Sequence, residues 1–451
     1  MTDAATLAAW DHRDLWHPFT QMADWVAEPP LVVAAAEGCT LIDVDGRRYL
    51  DGVASLWCNV HGHRHPRLDA ALRAQLDRVA HSTLLGLTNV PAVELAHALV
   101  GIAPPGLTRV FYSDSGATAV EAALRIALQY QQLRGQRART RFASLVEAYH
   151  GDTLGAVGVG YSETFHRHVA AAVVPAVRLP PPHVFCRQRG LAPEAALAAA
   201  LDAAERTLAA HGPTLAALVV EPLVQGAAGI WVHPPEYVRA LAALARRHGA
   251  LFVADEVATG FGKTGRMFAC EHAGIAPDLL CLAKGITGGY LPLAATLATE
   301  EVFAAFLGPY EEFRALFHGH TYTGNPLACA VGLASLDVFR EERTLARLAP
   351  KIARLAARLA ADVAPLPHVG EVRQQGVMVG IELVADRRTR APYPPAARVG
   401  QRVVRAARAR GVVIRPLGDV IVLMPPLAIA DGELDLLVDV ARDAIAEVTG
   451  P

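Results

Sequence analysis

Two ionisable residues each close a short apolar run in the middle of the chain. Asp255 follows residues 251–254 (Leu-Phe-Val-Ala), and Lys284 follows residues 279–283 (Leu-Leu-Cys-Leu-Ala). Short apolar runs bounded by turn signals suit strands of a buried parallel sheet. Ligands of such sheets lie beyond the carboxyl ends of the strands, so a carboxylate and an amine in these places can meet in one pocket. Pyridoxal phosphate chemistry needs that pair: a lysine amine to condense with the cofactor aldehyde, and an aspartate to keep the pyridine nitrogen protonated. Taken singly, each residue is also ordinary, since a strand-end Asp is commonly a cap and a Lys is commonly solvated.

Other stretches offer complementary chemistry. Residues 109–113 read as a strand running into Asp114-Ser115-Gly116-Ala117-Thr118, with an alanine-rich helix over 119–132. A strand, a small-residue turn and a helix start form an anion site, because free N–H groups and the helix dipole both favour a phosphate. Ser and Thr there also serve as plain caps. A strand over 142–146 leads to Tyr149-His150-Gly151, where an aromatic ring can stack on a planar ligand or simply be half-buried. The strand 215–220 ends at Glu221. Gly260-Phe-Gly262-Lys-Thr-Gly265 matches G-x-G-x-x-G in form, but it neither joins a strand directly to a helix nor stands early in a βαβ unit, so a dinucleotide site is not expected. His61, His63 and His65 alternate in a Gly- and Pro-containing loop without a carboxylate or Cys set beside them, and no metal is expected.

Strand and helix alternate over about 200 residues, which predicts a doubly wound α/β domain with a mostly parallel sheet over 66–335. Asp45-Gly46 marks a hairpin over 38–50. Beyond 335 the pattern predicts a helix over 341–363, strands at 369–373 and 378–384, a helix over 397–410, strands at 412–415 and 420–424, and a closing helix over 431–448. Residues 1–65 and 336–451 are therefore expected to build a smaller α+β domain from both ends of the chain.

Composition bounds the partners. With 52% hydrophobic and 19% charged residues, 42 Lys plus Arg against 44 Asp plus Glu, and a net charge of −2, the chain is globular, without the basic footprint of a nucleic-acid binder or a polybasic membrane patch. The six cysteines form no Cys-x-x-Cys pair, and the N-terminus has no basic region followed by an apolar stretch. No apolar run is long enough to span a membrane. A cytoplasmic enzyme acting on small molecules is the expectation.

With these pieces assembled, the chain resembles the class III, fold-type I pyridoxal-phosphate aminotransferases over essentially its whole length. The most specific stretches are Ala254-Asp-Glu-Val-Ala-Thr-Gly-Phe-Gly-Lys-Thr-Gly265, Leu282-Ala-Lys-Gly-Ile-Thr-Gly-Gly289 and His318-Gly-His-Thr-Tyr-Thr-Gly-Asn-Pro326. Trp16-His-Pro-Phe-Thr20, Asp51-Gly-Val-Ala-Ser-Leu-Trp57, Tyr149-His-Gly-Asp-Thr153 and Val413-Ile-Arg-Pro-Leu-Gly418 resemble the 7,8-diaminononanoate synthases of biotin synthesis within that class. The resemblance implies a large domain with a doubly wound sheet and a smaller domain, pyridoxal 5'-phosphate as cofactor, and a homodimer with shared active sites. It implies Lys284, Asp255 and Tyr149 as catalytic residues. Gly116, Ala117, His150, Glu221 and Val257 would join them around the cofactor, with His320 and Thr321 contributed across the dimer. Phe19, Leu56, Trp57, Gly319 and Arg415 would contact substrates, Arg415 clamping a keto-acid carboxylate. Users of S-adenosylmethionine in this family carry aromatic or hydroxyl-bearing groups where this chain has Phe19, Leu56 and Val422, so lysine or another small amine is expected to serve better as amino donor.

Overall fold

The computed structural model describes residues 2–450. Near the N-terminus, β1 (Val33–Glu37), β2 (Thr40–Asp43) and β3 (Arg48–Asp51) run antiparallel in turn. Gly46, in the turn between β2 and β3, has a φ of 81°, which a glycine adopts without strain.

Then come β4 (Leu107–Ser113), β5 (Arg141–Leu145), β6 (Val177–Leu179) and β7 (Leu215–Val220), a small ribbon of β8 (Val224–Gln225) and β9 (Trp231–Val232), and β10 (Leu251–Asp255), β11 (Leu279–Leu282) and β12 (Ala294–Thr299). Seven of these form one sheet in the order β4-β12-β11-β10-β7-β5-β6. Every residue of β7, β10 and β11 is buried, which explains why these strands read as unbroken apolar runs rather than alternating ones. Only β12 runs against its neighbours. Its sequence, Ala-Ala-Thr-Leu-Ala-Thr, carries too little β-branched or aromatic signal to announce a strand. Because the other strands are parallel, Ser113, Leu145, Val220, Asp255 and Leu282 all lie at one edge.

The C-terminal strands are β13 (Val369–Gln375), β14 (Met378–Leu383), β15 (Val412–Val413), β16 (Arg415–Leu417) and β17 (Val420–Leu423). An antiparallel sheet has the order β13-β14-β17-β16, while β15 leaves it to pair in parallel with β3, matching Val412 to Leu50 and Val413 to Asp51. The single strand expected over 412–415 is thus broken at Ile414, since its two halves pair with different sheets. Thr344–Arg358, Val399–Ala409 and Asp431–Thr449 are helices, and side chains such as Leu355, Val403 and Leu437 form one core with Ile381 and Ile421. The helices Val90–Ile102 and Pro326–Glu341 were not visible in the apolar spacing; each has a Pro in its first turn and a short polar cap, Asn89 and Asn325.

Candidate active site

Parallel pairing matches Asp255 of β10 to Cys281 of β11, and Lys284 stands three residues further on. Asp255 is buried and accepts two hydrogen bonds, from the Val257 N–H at 3.0 Å and across a 2.7 Å contact with His150 Nδ1. His150 follows β5 in a loop, and its Nε2 is buried without a partner among the described residues. The neighbouring Tyr149 donates its N–H to Glu221 Oε1 at 3.1 Å, and the Gly226 N–H reaches Glu221 Oε2 at 2.9 Å. Burial pushes the Glu221 carboxyl up to about 7, His150 pulling it down and Asp255 adding to the rise. Lys284, half-buried, opens a short turn, Lys284–Thr287, with φ at 46°. Burial pushes its amine below the ordinary lysine value, opposed by Asp255 and Glu221. Its Nζ lies 4.8 Å from the centre of the Trp57 ring.

The helix Gly116–Leu133 starts three residues earlier than its alanine pattern suggested. Ser115 caps it by accepting the Thr118 N–H, which leaves the N–H groups of Gly116 and Ala117, in the first turn, to an outside acceptor. Val257 packs against this start: a Cβ on Gly116 would come 2.5 Å from Val257 Cγ1. The phosphate-type helix start and the Asp255 loop are therefore in direct contact, which the sequence did not reveal.

Tyr149 donates its hydroxyl to Asp152 Oδ2 at 2.6 Å, and burial with Asp152 raises the phenol well above its usual value. Its ring stands edge-on to Phe19 at 6.4 Å. Phe19 and Leu56 are exposed. Arg415, the first residue of β16, is half-buried; burial lowers its guanidinium below the usual arginine range, with Tyr149 opposing. No carboxylate pairs with it among the described residues. Asp152 and Lys263 are polar groups that the sequence reading passed over. Lys263 belongs to the glycine-rich stretch, is buried, donates to the Asn59 carbonyl at 3.2 Å, and is pushed down by burial to about 8. Only its position between closely packed glycines hinted at this.

Gly319 and Thr321 are exposed on a loop, and His320 Nδ1 is 3.0 Å from Asp114 Oδ2, beside the capping Ser115. Of the alternating histidines, His61 meets Ser335, His63 meets Asp51 and His65 meets Glu342, while the His61 and His65 rings stand edge-on at 5.8 Å.

The residues fit pyridoxal phosphate. A buried carboxylate fixed by a histidine suits a pyridinium nitrogen, two open N–H groups at a helix start suit a phosphate, and a lysine with a lowered proton affinity suits an aldehyde.

Residues 21–445 match the class III aminotransferase family. The chain is 60% identical to the adenosylmethionine-8-amino-7-oxononanoate aminotransferase of Nitratidesulfovibrio vulgaris, covering 99% of this chain and 82% of the relative, and 51% identical to that of Geobacter sulfurreducens, covering 99% of both. The crystal structure of the Methanocaldococcus jannaschii enzyme of that name is 42% identical and superposes with a TM-score of 0.94, over 99% of this chain and 100% of that one. An amine transaminase from an uncultivated Pseudomonas species, solved with pyridoxal phosphate bound, is 39% identical, with a TM-score of 0.92 over 96% of this chain and 99% of that one. The protein belongs to the class III aminotransferases, enzymes that move amino groups between small molecules with pyridoxal phosphate.

Proposed function

We propose that the protein transfers an amino group to 8-amino-7-oxononanoate, forming 7,8-diaminononanoate for biotin synthesis. The observation that carries this is Arg415: a half-buried guanidinium near Tyr149, without a carboxylate partner among the described residues, is stabilised by an anionic substrate such as a keto acid. The names of the relatives at 60% and 51% identity support the same substrate.

The cofactor, when bound, supplies an electron-withdrawing ring that labilises the bond next to the substrate nitrogen. Lys284 would hold it through the amine, Asp255 would bind the ring nitrogen, and Gly116 and Ala117 would bind the phosphate through their N–H groups. His150 would orient Asp255, Val257 would floor the site, and Glu221 would line it. Lys284, partly stripped of water, can take up and return a proton at Nζ. Tyr149, Trp57, Phe19 and Leu56 would shape the substrate space.

For the amino donor we favour S-adenosylmethionine, which the names of the relatives include. One of the three grounds for lysine weakens, because Val422 is wholly buried within its sheet and offers no face to a donor.

Gly319, His320 and Thr321 of the second subunit would complete the phosphate cradle of a homodimer. Exposed Trp16, Leu85, Tyr310, Phe317 and Tyr322 support such an interface. The reading also divides the chain into a cofactor domain over 66–335 and a smaller domain from 1–65 and 336–451, supported by the pairing of β3 with β15. No helix among the described residues is long and apolar enough to cross a membrane, and the cytoplasm is the compartment proposed. The test is to incubate purified protein with 8-amino-7-oxononanoate and a donor panel including S-adenosylmethionine and lysine, and to weigh the products. Formation of the diamine is expected. Turnover of ω-amino acids with pyruvate, and none of 8-amino-7-oxononanoate, would overturn the proposal.

A further inference from the structure

Residues 54–57 adopt a backbone that few sequences without glycine accept. Ala54, Ser55, Leu56 and Trp57 have φ values of 49°, 46°, 71° and 70°. Left-handed backbone crowds each Cβ against the next carbonyl, and it normally occurs in single residues. Four in succession persist only where the surroundings dictate them, and such strain gathers at functional sites.

The surroundings here centre on Asp51. It ends β3 and is wholly buried. Its Oδ1 accepts the Ser55 N–H at 2.9 Å, and its Oδ2 accepts the Ser55 hydroxyl at 2.7 Å. His63 Nε2 lies 3.0 Å from the same Oδ2, and the backbone of His63 is tied to Gly38 by two hydrogen bonds of 2.6 and 3.1 Å. The carboxylate is thus fixed from one side and grips the turn on the other. The turn closes with the Trp57 N–H on the Val53 carbonyl at 2.7 Å. It delivers the buried Trp57 ring to Lys284 Nζ and against Gly226, where a Cβ would stand 3.2 Å from the ring. A right-handed turn leaving Val53 would carry residue 57 in another direction.

We propose that Asp51 is a positioning residue for the transamination: by gripping Ser55 it keeps residues 54–57 left-handed, and so keeps the Trp57 ring against Lys284. This rests on the reading of Lys284 as the reactive amine. Asp51 also pairs with Val413, two residues before Arg415, and the Gly52 N–H donates to the Val413 carbonyl at 2.9 Å. That backbone pairing does not involve the carboxylate. Loss of the Asp51 charge therefore acts on the Trp57 side of the site and spares the Arg415 side.

The test compares full-length parent, Asp51→Asn, Ser55→Ala, and Asp51→Asn combined with Ala54→Gly and Ser55→Gly, with Trp57→Phe as the spectral reference. Trp57 emission and its quenching by acrylamide are read in cofactor-free protein, and half-reaction rates in loaded protein. Asp51→Asn is expected to expose Trp57 to quencher and to slow the donor half-reaction about tenfold, with the keto-acid KM held within about twofold. The two glycines, free to adopt left-handed backbone, are expected to restore the Trp57 signal and recover the rate severalfold. If Asp51→Asn does not fold, Ser55→Ala carries the same comparison, with about a threefold slowing expected from loss of one hydrogen bond. An unchanged Trp57 signal in the folded variant, or a slowing that the glycines do not relieve, would overturn the proposal. The Trp57 signal is independent of the role of Lys284, which borohydride labelling tests separately.

Discussion

Lys284 and Lys263 are both amines whose proton affinity is lowered by burial, and only their neighbours separate them. Lys263 is spent on the Asn59 carbonyl, whereas Lys284 faces Trp57 within reach of the Asp255 and Glu221 charges. Borohydride reduction of the loaded protein, followed by peptide mapping, should put the pyridoxyl mass on Lys284. Lys284→Ala should lose the label; a label on Lys263 would reverse the assignment. Arg415→Ala should raise the apparent KM for the keto acid at least tenfold, since stripping a buried carboxylate of its partner costs on the order of 2–5 kcal/mol. Equal losses for donor and acceptor would deprive Arg415 of that role. Lys284 and Arg415 stand out as candidates in the sequence, because Lys284 follows a short apolar run and Arg415 lies in a distinctive motif. Asp152 does not, because its meaning depends on where the Tyr149 hydroxyl points, and nothing local fixes that.

Elements place these residues more tightly than the chain pattern conveys. The contact of Gly116 with Val257 joins the helix start to the loop after β10. Gly116→Ala should therefore weaken cofactor binding about tenfold, as overpacking of about 1–3 kcal/mol is relieved by displacing the helix start. Adding Val257→Ala should recover most of that loss in equilibrium dialysis, and no recovery would sever the link between the two elements. The glycine-rich turn makes a second prediction through Lys263. Its amine titrates near 8 in the fold against 10.5 for an unperturbed lysine. Between those values the unfolded chain holds a proton that the fold has released, so stability rises with pH. Relative to Lys263→Met, the parent should gain up to roughly 3 kcal/mol from pH 8 to 10.5 in urea titrations; a flat difference would mean that the amine stays charged. Most of the parallel strands were visible as unbroken apolar runs. The antiparallel β12 was not, because strand direction is set by partners and not by composition. Nor was the left-handed turn at 54–57, because Ala-Ser-Leu-Trp carries no glycine to advertise positive φ.

At the level of the whole molecule, the pairing of β3 with β15 joins the chain ends, and the doubly wound sheet sets Lys284 and Asp255 at its edge. The alternation of elements foretold the large sheet, while the pairing between the ends is a contact across some 360 residues that no local pattern encodes. Gly319 and Thr321 are exposed on their loop, and the proposed homodimer gives that loop a role. If Thr321 of one subunit completes the phosphate cradle of the other, each site takes Lys284 from one chain and Thr321 from its neighbour. Lys284→Ala and Thr321→Ala homodimers should then both be impaired, since every site lacks one group. Subunits exchanged between them form mixed dimers in which one site carries both defects and the other carries neither. Activity should rise toward half the parent value per mixed dimer, with exchange followed by mass on differently tagged chains. Were each site built within one chain, the mixed dimer would hold one site lacking Lys284 and one lacking Thr321, and exchange would return nothing. Exchange without recovery would therefore place the cradle within a single subunit.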